Sequence, residues 1–172
     1  GHSALWSSRK GAAFGLGSIL SKANLDEMME NNQRLSKSLI PKLYRYKFDS
    51  NPSVQQAMQG IWDSLVKDKS AAINDNFDDI LEELLKGMGD KEWRVRQAST
   101  AALSDLLQGR PIELYQDKLE RIWMMSFRAV DDIKESVRNA GLQLTRGLAT
   151  TLIRHVDTST GTSPARATAL LE

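Results

Sequence analysis

The sequence predicts an all-α fold, a chain of antiparallel helix pairs repeated end to end. Three observations predict it. Three segments align on Val54, Val95 and Val137, which stand 41 and 42 residues apart. In each, the positions 0, 3, 7 and 11 residues from that valine are apolar, tracing one stripe along a helix of 3.6 residues per turn. Apolar and polar residues nowhere alternate at the period of a strand.

The first element is residues 4–21, around "RKGAAFGLGSIL". With Ser8 at the valine position, Arg9 and Gly11 take the next slots, Gly15 falls at offset seven and Ile19 at eleven. The stretch therefore reads as the second helix of a leading, partial repeat. Its three glycines do not make a phosphate loop. A Walker loop needs Gly-Lys-Ser/Thr after four intervening residues, and the dinucleotide fingerprint needs a third glycine where Leu20 stands. Close packing by a neighbouring helix is the expected compensation for glycine in helix interiors.

Next comes "LSKSLIPKLYRY", a first helix with Pro41 inside its apolar pattern, where proline removes a hydrogen bond and favours a kink. Its partner is the helix around Val54, Ala57, Ile61 and Leu65. The third unit opens with Phe77, Ile80, Leu81, Leu84, Leu85 and Met88, ends at the breaker Gly87-Met88-Gly89, and continues through Val95, Ala98, Ala102 and Leu106. "QGRP" gives a glycine stop and a proline start. "LERIWMMSF" follows, with Leu119, Ile122, Trp123 and Phe127 expected on one apolar side. Val137, Ala140, Leu144 and Leu148 form the last second helix. The tail begins as a small-residue linker and ends in an apolar stub, expected to start a further repeat.

An aspartate stands five residues before each valine: Asp49, Asp90 and Asp132. It falls at the helix N-cap or in the turn before it, where a carboxylate accepts backbone N–H groups. Arg96 and Arg138 follow the later two at an Asp-x5-Arg spacing, and Gln55 replaces the arginine in the earlier unit. Such arginines can bond aspartates of their own or neighbouring repeats, giving a ladder of charge-assisted bonds. The period of about 41 residues is that of HEAT or armadillo arrays. Asp, Arg and Pro41, eight residues before Asp49, favour HEAT. The predicted organisation is an armadillo-like solenoid of about three full repeats plus a leading second helix. Its array occupies 1–156, in units of about 4–22, 25–68, 70–109 and 110–156, with a linker and the start of another repeat at 157–172. An array cut at both ends, without capping repeats, reads as a fragment of a longer one.

Composition narrows the function classes. The chain of 172 residues has 23 Lys plus Arg against 22 Asp plus Glu, a net charge of +1. That balance offers no broad field for nucleic acid or an acidic membrane. The absence of cysteine excludes disulfides, thiolate chemistry and Cys-based zinc sites, and His2 and His155 are too few for an imidazole-rich metal centre. No apolar run approaches the length of a membrane span, and no signal-peptide layout is present. A soluble, intracellular protein without cofactor or metal is expected.

Remaining clusters have structural readings. Asp78, Asp79, Glu82 and Glu83 lie opposite an apolar stripe and read as a solvated face. Asp131 and Asp132 open a helix, where their charge is favoured. His155 beside Arg154 suits a helix C-terminus. No nucleophile elbow or triad context occurs. "PKLYRYK", with Arg34 and Lys37 upstream, is the best case for nucleic acid; a helix exterior with snorkelling lysines is the favoured reading. Trp6 and Trp93, each two residues before its anchor, are expected to pack between repeats rather than to anchor a partner.

Beyond periodicity, "LWSSRKGAAFG", "LIPKLYRYKFD", "WRVRQASTAALSDLLQGRP" and "FRAVDDIKESVRNAG" resemble, in this order, a central stretch of the HEAT-repeat proteasome adaptor and scaffold family. The resemblance covers about residues 5–156. It implies a non-catalytic, protein-binding scaffold in cytoplasm and nucleus that tethers the proteasome core particle to its regulatory particle. It also implies links to quality control and transport machinery. It carries over no catalytic residue and assigns no partner-binding position. The alternatives are a microtubule- or transport-type HEAT module, which the Asp-rich turns disfavour, and a nucleic-acid-binding helical repeat.

Overall fold

The computed structural model describes residues 33–159. The leading helix expected over 4–21, with Trp6, Arg9, Gly11, Gly15 and Gly17, lies outside the described residues, as does the expected further repeat in 160–172. Among the described residues are seven α-helices, two 3-10 turns and no strand. The first pair is α1 (Gln33–Tyr46) and α2 (Pro52–Leu65). A short α3 (Lys69–Asp75) precedes the second pair, α4 (Phe77–Met88) and α5 (Trp93–Leu107). The 3-10 turns Ile112–Leu114 and Gln116–Lys118 lead to the last pair, α6 (Leu119–Val130) and α7 (Glu135–Ser159). Six of these helices are the paired ones the periodicity predicts. The seventh, α3, was not predicted; Asp68 caps it by accepting the Ala71 N–H at 3.0 Å.

Other boundaries differ from expectation for local reasons. Pro41 sits buried within α1, which continues through it to Tyr46. Gly109 takes φ +74°, a conformation glycine adopts without Cβ strain, just past the end of α5. Pro111, however, opens the first 3-10 turn rather than α6. The final helix runs past residue 156 to Ser159, so His155 is not at its end. Instead its Nδ1 lies 3.4 Å from Glu113 Oε1.

By packing, the chain divides into two compact units, Gly1–Leu103 and Ser104–Glu172. In the first, α1 packs against both α2 and α4, more of it against α4. Ile40, Leu43 and Tyr44 of α1, Val54, Met58 and Trp62 of α2, and Ile80, Leu81, Leu84 and Leu85 of α4 are buried. Tyr44 meets Trp62 edge-on at 5.8 Å between centroids, a favoured aromatic geometry. In the second unit α6 and α7 form the most extensive helix contact, around Ile122, Val137, Leu144 and Leu148. Val54 and Val137 are buried and Val95 is half-buried.

A glycine marks a close approach in each of the two later pairs. A Cβ on Gly87 of α4 would run into Ser99 Oγ of α5 and lie 3.0 Å from its Cβ. A Cβ on Gly141 of α7 would stand 2.9 Å from Ala129 C, Ala129 Cβ and Val130 N of α6. Gly87 and Ala129 both stand eight residues before their anchoring valines, and Ser99 and Gly141 both four after. The crossing point therefore recurs at one register. In the first pair these positions hold Tyr46 and Met58.

Candidate interaction surface

The three repeat aspartates do one job in common. An Oδ1 of Asp49 accepts the Asn51 N–H at 2.9 Å, Asp90 that of Glu92 at 2.9 Å, and Asp132 that of Lys134 at 3.0 Å. Each thus closes an Asx turn ahead of the second helix rather than capping it directly. The cap of α2 is Asn51, whose Oδ1 accepts from Ser53 N at 2.9 Å and Val54 N at 3.4 Å. Arg96 donates from Nη1 to the Asp90 and Lys91 carbonyls, both at 3.0 Å; Arg138 donates to the Asp132 carbonyl at 2.8 Å. These two arginines therefore brace the turn through its main chain.

Arg94, which the repeat pattern does not single out, makes a close charge-assisted bond between repeats. Arg94 Nη2 meets Asp49 Oδ1 at 2.9 Å, with the Asp49 side chain almost wholly buried. Asp49 belongs to the unit whose own arginine slot is Gln55, and the guanidinium comes from the following repeat.

The basic-aromatic stretch turns inward. Lys47 Nζ sits 4.4 Å from the Tyr44 ring centroid and 4.2 Å from that of Trp62. Arg45 pairs with Glu83 at 3.7 Å and lies over Tyr46. Tyr44 is fully buried, so its ring is not presented for stacking on a base. Trp93 is half-buried. Asp79, Glu82 and Glu83 share a surface between α1 and α4 with Lys37, Lys42 and Lys86, a face of mixed charge. Among the described residues no three His, Cys, Asp or Glu side chains are grouped to hold a metal. No described helix is long and apolar enough to cross a membrane.

Two surfaces of the second unit stand out. On α6 the apolar side differs from expectation: Ile122, Met125, Ser126 and Ala129 face inward, whereas Phe127 is 58% exposed and Met124 54%. Phe127 stacks on Trp123 at 5.5 Å. At the same register positions as Trp123 and Phe127, the earlier repeats bury Ile40 and Tyr44, then Leu81 and Leu85. The second surface is a groove of about 460 Å³ between the end of α5 and the outer side of α7. Leu107, Leu144 and Leu148 form its floor, and Arg146 and Arg154 stand on its wall.

In the same unit, Tyr115 is completely buried and its hydroxyl finds no partner among the described residues. Burial, and next the charge of Glu113, push its phenol above the ordinary tyrosine value.

The family model "HEAT repeat" matches residues 80–110, from within α4 to just past α5. Over 99% of its length the chain is 50% identical to "Proteasome component ECM29" of Saccharomyces cerevisiae, covering 9% of that protein. It is 42% identical over 99% of its length to the human "Proteasome adapter and scaffold protein ECM29", again covering 9%. It is 41% identical over 95% of its length to "Proteasome component ecm29" of Schizosaccharomyces pombe, covering 10%. The chain therefore spans about a tenth of the length of these relatives. No solved structure matches it.

Proposed function

The chain is a homologue of the Ecm29 proteasome adaptor and scaffold proteins over nearly all of its own length, and on that premise we propose that it is a non-catalytic, protein-binding segment of such a scaffold. Its role would be to help tether the proteasome core particle to its regulatory particle and to connect proteasomes to other machinery, in cytoplasm and nucleus. The identity of 50% across 99% of the chain carries this reading. The fold supports it: helix-pair repeats present continuous surface for protein contact without a central pocket. The repeat aspartates Asp49, Asp90 and Asp132 are occupied in holding their turns.

Tagged full-length protein containing this segment should co-purify with proteasome particles from cell lysate. A version with Phe127→Glu and Met124→Glu tests whether the open α6 face contributes. Failure of the unaltered full-length protein to bring down proteasomes would refute the reading. So would tight binding of ATP or NAD by this chain in isothermal titration.

A further inference from the structure

We propose that the groove between the end of α5 and α7 is a docking site for an acidic, extended peptide segment of a partner protein. This deepens the scaffold reading by naming a partner chemistry, and its test is separate from proteasome co-purification.

The groove lining contains two arginines and no carboxylate. Neither Arg146 nor Arg154 has an ion-pair or hydrogen-bond partner for its guanidinium among the described residues, whereas other cations of the fold are engaged, Arg94 on Asp49 and Arg45 on Glu83. Two guanidinium groups at one concave site, without an ion-pair partner among the described residues, favour an anionic occupant, and each offers a fork of donors matched to a carboxylate. Their spacing suits a peptide. Arg146, Thr150 and Arg154 follow one another at four-residue steps, so the two arginines start about 12 Å apart along the helix axis. An extended chain covers that distance in three to four residues at about 3.3 Å each. Acidic side chains three or four residues apart would reach both.

The wall between the arginines suits a peptide backbone. The Thr150 hydroxyl donates to the Arg146 carbonyl at 3.0 Å and that of Thr151 to the Gly147 carbonyl at 2.9 Å. Each hydroxyl hydrogen is thereby spent, and each oxygen remains an acceptor for a peptide N–H. Gly147 has no described atom within 4 Å of where a Cβ would stand, so the helix backbone is approachable there. The apolar floor can take an intervening aliphatic side chain. A single-stranded nucleic acid is disfavoured, because no aromatic ring lines the groove to stack a base.

The test is fluorescence anisotropy on the whole 172-residue chain. The probe is a labelled ten-residue peptide with glutamates at its third, sixth, seventh and tenth positions among Gly, Ser and Leu, and a second probe replaces every glutamate with Gln. The glutamate probe should bind, and the Gln probe should bind at least about tenfold more weakly. Arg146→Glu/Arg154→Glu and the milder Arg146→Gln/Arg154→Gln should each weaken the glutamate probe about tenfold or more, without moving the melting temperature. Arg128→Glu, an exposed charge change on α6, should leave binding within about twofold. Any of four results overturns the proposal: no binding of the glutamate probe, equal binding of the Gln probe, an equal loss in Arg128→Glu, or displacement by ten-nucleotide oligo-dT at lower concentration than by unlabelled peptide.

Discussion

In the α4–α5 pair the residue lacking a side chain at the crossing is Gly87, on the first helix; in the α6–α7 pair it is Gly141, on the second. The opposing residues are Ser99 and Ala129, and the register is the same in both. In the earlier α1–α2 pair, the same positions hold Tyr46 and Met58, and neither is a glycine. What recurs between these repeats is a place of close approach, not a residue. Either helix can yield the space, provided that the pair together stays small.

The comparison can be broken hardest at Gly141. Three atoms stand 2.9 Å from its virtual Cβ, and two of them are backbone, which cannot rotate away. Gly141→Leu should destabilise the fold by about 3 kcal/mol, read from urea midpoints. A cost below about 1 kcal/mol would mean that the α6–α7 approach relaxes freely.

A second test contrasts two aspartates. Asp49→Ala strips Arg94 and the Asn51 N–H of their acceptor at a buried site and should cost about 2–3 kcal/mol. Asp90, half-exposed and holding the Glu92 N–H, should cost about 0.5–2 kcal/mol as Asp90→Ala. Equal melting shifts would remove the distinction between a bond joining repeats and one closing a turn. Smaller still is the effect where helical glycine has no neighbour: Gly60→Ala and Gly147→Ala should each stabilise by about 0.5–1 kcal/mol.

The smallest effect concerns Tyr115, and it depends on pH. With its phenol raised above the unfolded value of about 10, its contribution is complete below that pH and fades as pH rises toward the folded value. Tyr115→Phe should change stability by less than about 1 kcal/mol at pH 7, since the hydroxyl has no described partner. It should flatten the loss of stability above pH 10. An unchanged alkaline limb in the variant would show that the buried phenol is not what titrates.

Much of this architecture was legible in the sequence, because burial repeats at helical spacing: the stripes through Val54 and Val137 and the six paired helices follow from it. The recurring aspartates were legible as turn residues. Arg96 and Arg138 reach their own turn carbonyls, while Arg94, outside the repeated pattern, crosses to Asp49. Periodicity reports which residues share a face, and it is silent on how far a long side chain extends. It also misplaced Phe127, whose spacing fits the apolar side of α6 although the inner side is completed by the small Ser126 and Ala129. The groove was invisible for the same reason: nothing in the spacing of Arg146 and Arg154 marks a shared site until the end of α5 is placed beside them. Gly87 read as a helix breaker, and its role as a point of approach requires knowing what faces it.

The double-mutant cycle at the α4–α5 crossing tests the shared register most directly. Gly87→Ala alone should destabilise by about 1–2 kcal/mol, as its Cβ meets the Ser99 side chain. Ser99→Gly alone should cost about 1 kcal/mol in helix propensity. Gly87→Ala/Ser99→Gly reproduces the Ala129/Gly141 arrangement of the next repeat and should return to within about 1 kcal/mol of the original chain, a coupling well outside additivity. If the two losses simply add, the crossing is not a shared register, and the two glycines have unrelated roles.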